Sequence, residues 1–170
     1  MFAFAIWDES KQRLLAARDR IGIKPLFWAQ QEAGVALASE AGSLLQLLPH
    51  RPQVSGIGMA YALSLGYVPS PWSIWEGIEK LEPGHMLSWS KSNGTKKRCY
   101  WQPPDDLGSE QTAETPRFED VLQAVVSDHL LADVPIGLFL SGGLDSSSVA
   151  SCLHELGHSS TALTVTFPST

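Results

Sequence analysis

The sequence of 170 residues predicts antiparallel sheets (α+β) in its first hundred residues, followed by the start of a parallel α/β sheet. Three observations predict this fold class. Residues 1–102 contain short apolar runs separated by turn residues, which is typical of antiparallel hairpins. Residues 103–116 are polar and rich in Pro, Gly, Ser and Thr, as expected for a linker. In residues 117–170 apolar residues recur at helical spacing around a continuous apolar run, which indicates alternating helices and strands.

Three hairpins and two helices are predicted in residues 1–102. The first hairpin joins "MFAFAIW" to "RLLAARD" across the polar turn "DESKQ", and the second joins "LFWAQ" to "VALASE" across "QEAG". In the third, Asn93-Gly94 is the turn signal between "GHMLSWS" and "KKRCYW". Between the last two hairpins, one short helix begins near Ser39 and is stopped by Pro49, and a second covers "SGIGMAYALSLGYV".

In residues 117–170 we expect helices and strands to alternate. Thr115 suits the cap of the first helix and Pro116 its first position. The stretch "VPIGLFL" is expected to be a strand buried on both faces of a parallel sheet. A second helix ends at Gly157, and "TALTVTF" is the next strand. The apolar faces of the two helices consist of Phe118, Val121, Leu122 and Val125, and of Val149, Cys152, Leu153 and Leu156.

Composition and charge exclude several classes of function. The formal charge of -6 lies entirely in residues 118–170, which hold six acids and no Lys or Arg, so no nucleic-acid partner is expected. No apolar run reaches the roughly 20 residues of a membrane helix, and the N-terminus has no basic stretch typical of a secretory signal. Cys99 and Cys152 lie far apart without a CxxC motif, which indicates a reduced, cytoplasmic protein.

The strongest site candidate is "GLFLSGGLDSSS", residues 137–148. A buried strand that ends in Gly142 and Gly143 and opens a helix predicts an anion site, since glycines permit positive φ and helix N-terminal amides attract anions. The hydroxyl donors of the loop are Ser141, Ser146 and Ser147. Asp145 repels phosphate directly, so we expect it to bind Mg²⁺ that in turn binds phosphate. The stretch fits neither the Walker loop nor the dinucleotide GxGxxG motif; the simplest alternative is a plain strand-to-helix turn.

"SGGLDSS" resembles the pyrophosphate-binding loop of the ATP pyrophosphatases, and "DVPIGLFLSGGLDSSSVA" is similar to the synthetase domain of glutamine-hydrolysing asparagine synthetases. Upstream, "FAFAIWD", "ARDRIGIKPLFW", "ASEAGSLL", "LGYVPSPWSIWEGIEKLEPGHMLSW" and "CYW" resemble the glutaminase domain of the same family, in the same order. The resemblance covers nearly the whole chain. It implies antiparallel sheet layers of an N-terminal-nucleophile glutaminase domain, followed by the start of a parallel-sheet PP-loop domain.

The resemblance implies a carbon–nitrogen ligase of asparagine biosynthesis. In the family, ATP adenylylates the aspartate side chain, and ammonia from glutamine then displaces AMP. The implied ATP-binding residues are Leu140, Ser141, Gly142, Gly143, Asp145, Ser146 and Val165. Leu140 and Val165 are expected against the adenosine, the others at the pyrophosphate, and Asp145 at Mg²⁺. The implied partners are aspartate, glutamine and ATP and, in the full-length family, a second copy in a homodimer.

The resemblance also predicts that the chain spans the later part of the glutaminase domain and the start of the synthetase domain. The family's nucleophile is a Cys at the mature N-terminus whose own α-amine serves as base. This chain begins with Met1, and Cys99 and Cys152 are internal. We therefore expect the isolated chain to be inactive. We also expect it to be weakly stable, because two parallel strands are too few for a stable sheet.

Three alternatives remain open. The first is a related synthetase that forms a different amide on another carboxylate, and the second is a fragment without activity. The third is a zinc protease, because "HELGH" fits HExxH with His154 and His158 as ligands and Glu155 as base. Against the third, Gly157 is a predicted helix stop, and no His, Asp or Glu follows His158 to supply another ligand.

Overall fold

The computed structural model describes residues 1–104 and 116–167, in two compact units, 1–106 and 107–170. In the first unit the described elements are β1 (Ala3–Asp8), β2 (Arg13–Arg18), β3 (Phe27–Gln31), β4 (Gly34–Ala38), α1 (Ala41–Leu47), α2 (Gly56–Leu65), β5 (Ile78–Lys80), β6 (His85–Ser90) and β7 (Gly94–Cys99). In the second unit they are α3 (Phe118–His129), β8 (Gly137–Phe139), α4 (Leu144–Glu155) and β9 (Thr161–Leu163). Across the described ranges every helix is too short or too polar to cross a bilayer.

The first unit contains an antiparallel sheet of strand order β1-β2-β6-β7. Both hairpins predicted for these strands are confirmed: β1 pairs with β2, and β6 pairs with β7. Gly94 takes a φ of 64° at the β6–β7 turn, as the Asn-Gly signal predicts. Alternation along β2 and β6 places Ala16 opposite Leu87, and both are fully buried in a core with Leu26 and Leu81.

The second sheet has the order β4-β3-β5 and is also antiparallel. The predicted β3–β4 hairpin is confirmed, whereas β5 has no counterpart in the sequence prediction. Helix α1 begins at Ala41 and ends at Leu47, close to the predicted bounds, and its Leu44 packs with Ala29 and Ile78 in a second core. Helix α2 confirms the second predicted helix.

The helix predicted after the linker begins later than expected. Arg117 has an extended backbone (φ -64°, ψ 142°) and is the N-cap, so α3 begins at Phe118. The prediction that Pro116 takes the first helical position is therefore wrong, because an extended residue separates it from the helix. The predicted cap, Thr115, lies outside the described residues.

Strands β8 and β9 pair in parallel, from Gly137 opposite Thr161 to Phe139 opposite Leu163. Val126 of α3 and Cys152 and Leu153 of α4 form a buried cluster, and Leu138 of β8 packs against it. The prediction of a strand over 134–140 that is buried on both faces is wrong: the strand is shorter, and Phe139 is 78% exposed. The physical reason is that, within residues 116–167, the two helices pack against the face of β8 that carries Leu138 and leave the face that carries Phe139 uncovered.

Candidate functional site

The glycine-rich loop begins where β8 ends. The Leu140 amide donates to the Leu163 carbonyl (2.9 Å), and the Thr164 hydroxyl donates to the Leu140 carbonyl (2.8 Å). Hydrogen bonds between the two chain segments therefore continue one residue beyond the ends of β8 and β9. The loop therefore leaves the sheet at the carboxyl ends of two parallel strands. In open α/β sheets, ligands bind outside this edge.

Backbone geometry distinguishes the two loop glycines. Gly142 takes a φ of 79°, a conformation that glycine adopts without strain, and a Cβ at this position would meet nothing within 4 Å. Its role is thus conformational, with open space beside the backbone. Gly143 is the N-cap of α4 with φ -77° and ψ 165°, so the positive φ that glycine permits is used at Gly142 and not at Gly143. Any residue can adopt the Gly143 conformation, but a glycine leaves the helix end without a side-chain cap.

Ser141 and Ser146 hold the loop together. The Ser146 hydroxyl donates to the Gly143 carbonyl (3.1 Å) and accepts from the Ser141 amide (3.3 Å). The two hydroxyl oxygens are 3.1 Å apart, and the Gly143 amide reaches the Ser141 hydroxyl at 3.4 Å. These bonds fix the turn before the helix starts. The predicted donors Ser141 and Ser146 are therefore brought together at the loop, whereas Ser147 contributes its amide, which donates to the Gly143 carbonyl.

The start of α4 has the properties of an anion site. The amides of the first helical turn have no carbonyl four residues earlier within the helix, and no side chain caps them. The aligned peptide dipoles add roughly half a positive charge at this end. Asp145 lies in the same turn and is exposed to solvent. A carboxylate there stabilises the helix dipole by itself and is also free to bind a cation.

The two residues that are expected to contact the adenosine lie just beyond the ends of the paired strands β8 and β9. Leu140 comes directly after β8 and is half-buried, and Val165 lies two residues after β9 and is 77% exposed. The parallel register that pairs Phe139 with Leu163 brings Leu140 level with Thr164. The hydroxyl bond of Thr164 has no counterpart in the sequence prediction, because it depends on this register, which the sequence does not encode locally.

The zinc-protease geometry does not form. Gly157 takes a φ of 67°, its amide donates to the His154 carbonyl (2.9 Å), and the His158 amide donates to the Leu153 carbonyl (2.9 Å). This pair of bonds is a Schellman motif that ends α4, as predicted for Gly157. His158 lies beyond the helix and approaches the Ser160 hydroxyl through its Nδ1. Within residues 1–104 and 116–167, no cluster of three or more His, Cys, Asp or Glu side chains is suited to a metal ion.

The two thiols differ in their surroundings. Cys99 is exposed at the end of β7, and its thiol donates to the Trp101 carbonyl (3.2 Å). Cys152 is buried in the helix cluster of the second unit. Both are free and internal to the chain, so neither carries the α-amine that an N-terminal nucleophile uses as its base.

Comparisons with known proteins match both units. Residues 1–101 match the family model of a glutamine amidotransferase domain, and residues 117–170 match that of asparagine synthase. Asparagine synthetase (glutamine-hydrolyzing) 3 of Bacillus subtilis is 34% identical over 88% of the chain and 24% of the relative. Asparagine synthetase (glutamine-hydrolyzing) 1 of the same organism is 32% identical over 98% of the chain and 26% of the relative. Amidase chry2 of Gibberella zeae is 35% identical over 91% of the chain and 23% of the relative.

The antiparallel sheets of the first unit are consistent with a glutamine amidotransferase domain. Together with the second match, they show that the chain belongs to the family of glutamine-hydrolysing asparagine synthetases. It spans about a quarter of the length of the curated relatives it matches.

Proposed function

We propose that these residues serve a synthetase that amidates the side chain of aspartate with ammonia released from glutamine, at the expense of ATP. In this reaction the aspartate carboxylate attacks ATP to give an aspartyl adenylate and pyrophosphate, and ammonia then displaces AMP. The observation that carries the proposal is the loop 140–143, which leaves the carboxyl edge of a parallel strand pair and opens an uncapped helix. The match of this segment to asparagine synthase supports the same assignment.

In this proposal the loop binds the leaving pyrophosphate. Its oxygens accept hydrogen bonds from the first-turn amides of α4 and from the Ser141 hydroxyl, and Ser146 joins them when its hydroxyl proton turns from the Gly143 carbonyl to the phosphate. Gly142 and Gly143 let the phosphates approach the backbone, because no Cβ projects from either residue. Leu140 and Val165 offer apolar contacts to the adenosine from neighbouring strand ends.

Mg²⁺ fits the donors of the same loop. Asp145 presents a solvent-exposed carboxylate, the type of hard oxygen ligand that Mg²⁺ prefers, beside amides that suit phosphate. When bound, the ion would neutralise charge on the pyrophosphate and so favour its departure. Asp145 then orients the ion, while the serine hydroxyls and amides orient the phosphate groups.

The proposal is tested by nucleotide binding to the purified chain. Isothermal titration calorimetry with ATP, in the presence of Mg²⁺ and after chelation, measures the affinity of the chain for ATP, and the part that depends on Mg²⁺ is assigned to the loop. We expect Asp145→Asn to weaken Mg²⁺-dependent ATP binding at least about tenfold, because a charged ligand to the ion is lost. Asp120→Asn is the matched control, since Asp120 lies in the first turn of α3 and also contributes to the net charge. Unchanged binding in Asp145→Asn would remove Asp145 from the metal site.

A second candidate is amide formation on a carboxylate other than aspartate. The observation behind it is that two relatives have names other than asparagine synthetase, namely Amidase chry2 and Amidase chyE of Penicillium rubens, the latter 32% identical over 95% of the chain. The two candidates share the adenylation chemistry and differ in the acceptor. The assay that separates them is pyrophosphate release by a longer protein that contains these residues. It is measured with aspartate and, separately, with a panel of other carboxylic acids. Release that requires aspartate supports asparagine synthesis.

We place the enzyme in the cytoplasm, in keeping with the two free thiols, and as a homodimer at full length. The 170 residues by themselves are proposed not to hydrolyse glutamine, since both cysteines are internal. A glutaminase assay on the purified chain, with glutamate release as readout, tests this directly; release above the rate in a Cys99→Ser, Cys152→Ser double variant would contradict it.

A further inference from the structure

A cleft of about 310 Å³ in the first unit is lined by two cationic side chains, Arg18 and Lys80, and by no acidic one. Ser70, Tyr67 and Phe27 contribute to the same lining. The cleft lies wholly within residues 18–80. None of its lining residues belongs to the glycine-rich loop of the second unit, so the proposal for the cleft uses observations that the proposal for the loop does not.

Arg18 is held in the cleft by neutral acceptors. Its Nε donates to the Lys24 carbonyl (2.9 Å), and Nη2 donates to the Gly22 carbonyl (2.8 Å). Nη1 donates to the Leu81 carbonyl (2.6 Å) and to the Ser70 hydroxyl (3.2 Å). A guanidinium has five N–H donors, so one donor on Nη2 remains after these four bonds. The side chain is thus rigidly placed, and only 9% of the residue is exposed. Its four acceptors are uncharged oxygens, so the positive charge of the guanidinium is not neutralised by them.

Lys80 brings a second positive charge to the same cleft. Its ammonium donates to the Val68 carbonyl and lies 5.8 Å from the centroid of the Phe27 ring. Burial lowers the pKa of Lys80, and the positive charge of Arg18 lowers it further. Within the described ranges, the ion pairs closer than 4.0 Å involve other cations, namely Lys11, Lys97 and Arg117.

Asp19 does not neutralise this pair fully. It follows Arg18 in the chain and raises the pKa of that guanidinium against the effect of burial. Both of its carboxylate oxygens, however, accept hydrogen bonds from backbone amides, among them those of Gly22 and Lys24. The cleft therefore contains two cations that repel each other, and the one carboxylate that acts on Arg18 is not part of its lining.

We propose that this cleft binds a small oxyanion with two negative charges, either a phosphate group or a dicarboxylate. The polar side chains of the lining all carry hydrogen-bond donors. These donors are the spare N–H of Arg18, the ammonium of Lys80, the hydroxyl of Ser70, which accepts from Arg18 and keeps its own proton to donate, and the phenol of Tyr67. Charge-assisted hydrogen bonds from such groups are the strong ones for carboxylate and phosphate.

Titration of the ¹⁵N-labelled chain with inorganic phosphate and, separately, with succinate tests the proposal. Ionic strength is held constant with sodium chloride, and amide chemical shifts are followed by NMR. We expect saturable shifts that concentrate at residues 67–70 and 80. Lys80→Met, which keeps an apolar stem over the Phe27 ring, should weaken binding at least about tenfold. Lys91→Met is the control, because it removes the same charge from an exposed turn away from the cleft.

Each outcome decides the proposal. Tighter binding of succinate assigns a dicarboxylate ligand, and tighter binding of phosphate assigns a phosphate ligand. Shifts that do not saturate, that appear equally with chloride, or that spread over the whole unit would overturn it. If Lys80→Met does not fold, Tyr67→Phe decides instead, since Tyr67 is 62% exposed and the change removes one hydroxyl. Wild-type affinity in that variant, together with shifts remote from residues 67–70, would also overturn the proposal.

Discussion

Replacement of Asp19 by Asn is expected to lower the free energy of unfolding of the first unit by about 2 to 3 kcal/mol. Asp19 is 4% exposed, and its carboxylate accepts bonds from five backbone amides. The donors are Phe2, Ile21, Gly22, Ile23 and Lys24. Burial raises the pKa of Asp19, but the amide bonds outweigh it and hold the pKa at about 2, against an ordinary 3.8. This difference of about 1.8 pH units corresponds to about 2.4 kcal/mol.

The sign of the pH dependence follows from the lowered pKa. Because Asp19 ionises more readily in the folded state, its contribution is complete above the unfolded-state value of 3.8 and is lost as the pH falls through about 2. An Asn side chain does not titrate in this range. The stability of Asp19→Asn should therefore change less between about pH 4 and 2 than that of the wild type.

Urea unfolding followed by tryptophan fluorescence is the assay. All six tryptophans lie in residues 1–101, so the signal reports on the first unit. Asp8→Asn is the control: Asp8 accepts bonds from the Ser10 hydroxyl and the Lys11 amide on a surface turn, and its loss should cost less. A loss below about 0.5 kcal/mol for Asp19→Asn at pH 7, or equal acid sensitivity of variant and wild type, would refute the reasoning.

Two other predictions concern packing and exposure. Gly58→Ala should destabilise the first unit by about 1 to 3 kcal/mol, because a Cβ would lie 2.1 Å from the Ser73 carbonyl oxygen. Gly42→Ala, with nothing within 4 Å in α1, should be neutral or stabilising in the same urea assay; equal losses would contradict the prediction. A thiol reagent should label exposed Cys99 at least about tenfold faster than buried Cys152. Equal rates, read by mass spectrometry, would mean that the helix cluster of the second unit opens freely.

Local signals predict the hairpins, and tertiary contacts decide what the local signals miss. Asn93-Gly94 fixes a turn by its own backbone preference, so the β6–β7 hairpin requires no knowledge of the rest of the chain. Strand β5 has three residues and no clear period, and it exists because Ile78 is buried beside Ala29 when β5 pairs with β3. The predicted burial of Phe139 is wrong for the related reason that a continuous apolar run reports hydrophobicity, whereas burial requires neighbouring elements.

The geometry of the glycine-rich loop can be predicted from the sequence more fully than the contacts of the buried charges Arg18 and Asp19. A strand, two glycines and a helix follow each other directly, so the pattern places Ser141 and Ser146 together without long-range information. By contrast, the hydrogen-bond partners of Arg18 and Asp19 are mainly backbone groups. The nearby Asp-x-x-Gly spacing, Asp19 to Gly22, is the signal that indicates a turn capped by the carboxylate. The carbonyl of Leu81 is far along the chain, and no local pattern indicates it.

The charge distribution gives the two anion-binding hypotheses different requirements. Residues 118–170 contain six acids and no Lys or Arg, and a helix end offers only about half a positive charge. Pyrophosphate at the loop therefore needs a cation, which explains why a carboxylate, Asp145, is useful beside the amides. The cleft of the first unit already holds Arg18 and Lys80, so its ligand needs no metal ion. Chelation of Mg²⁺ should consequently abolish anion binding at the loop and leave binding at the cleft unchanged.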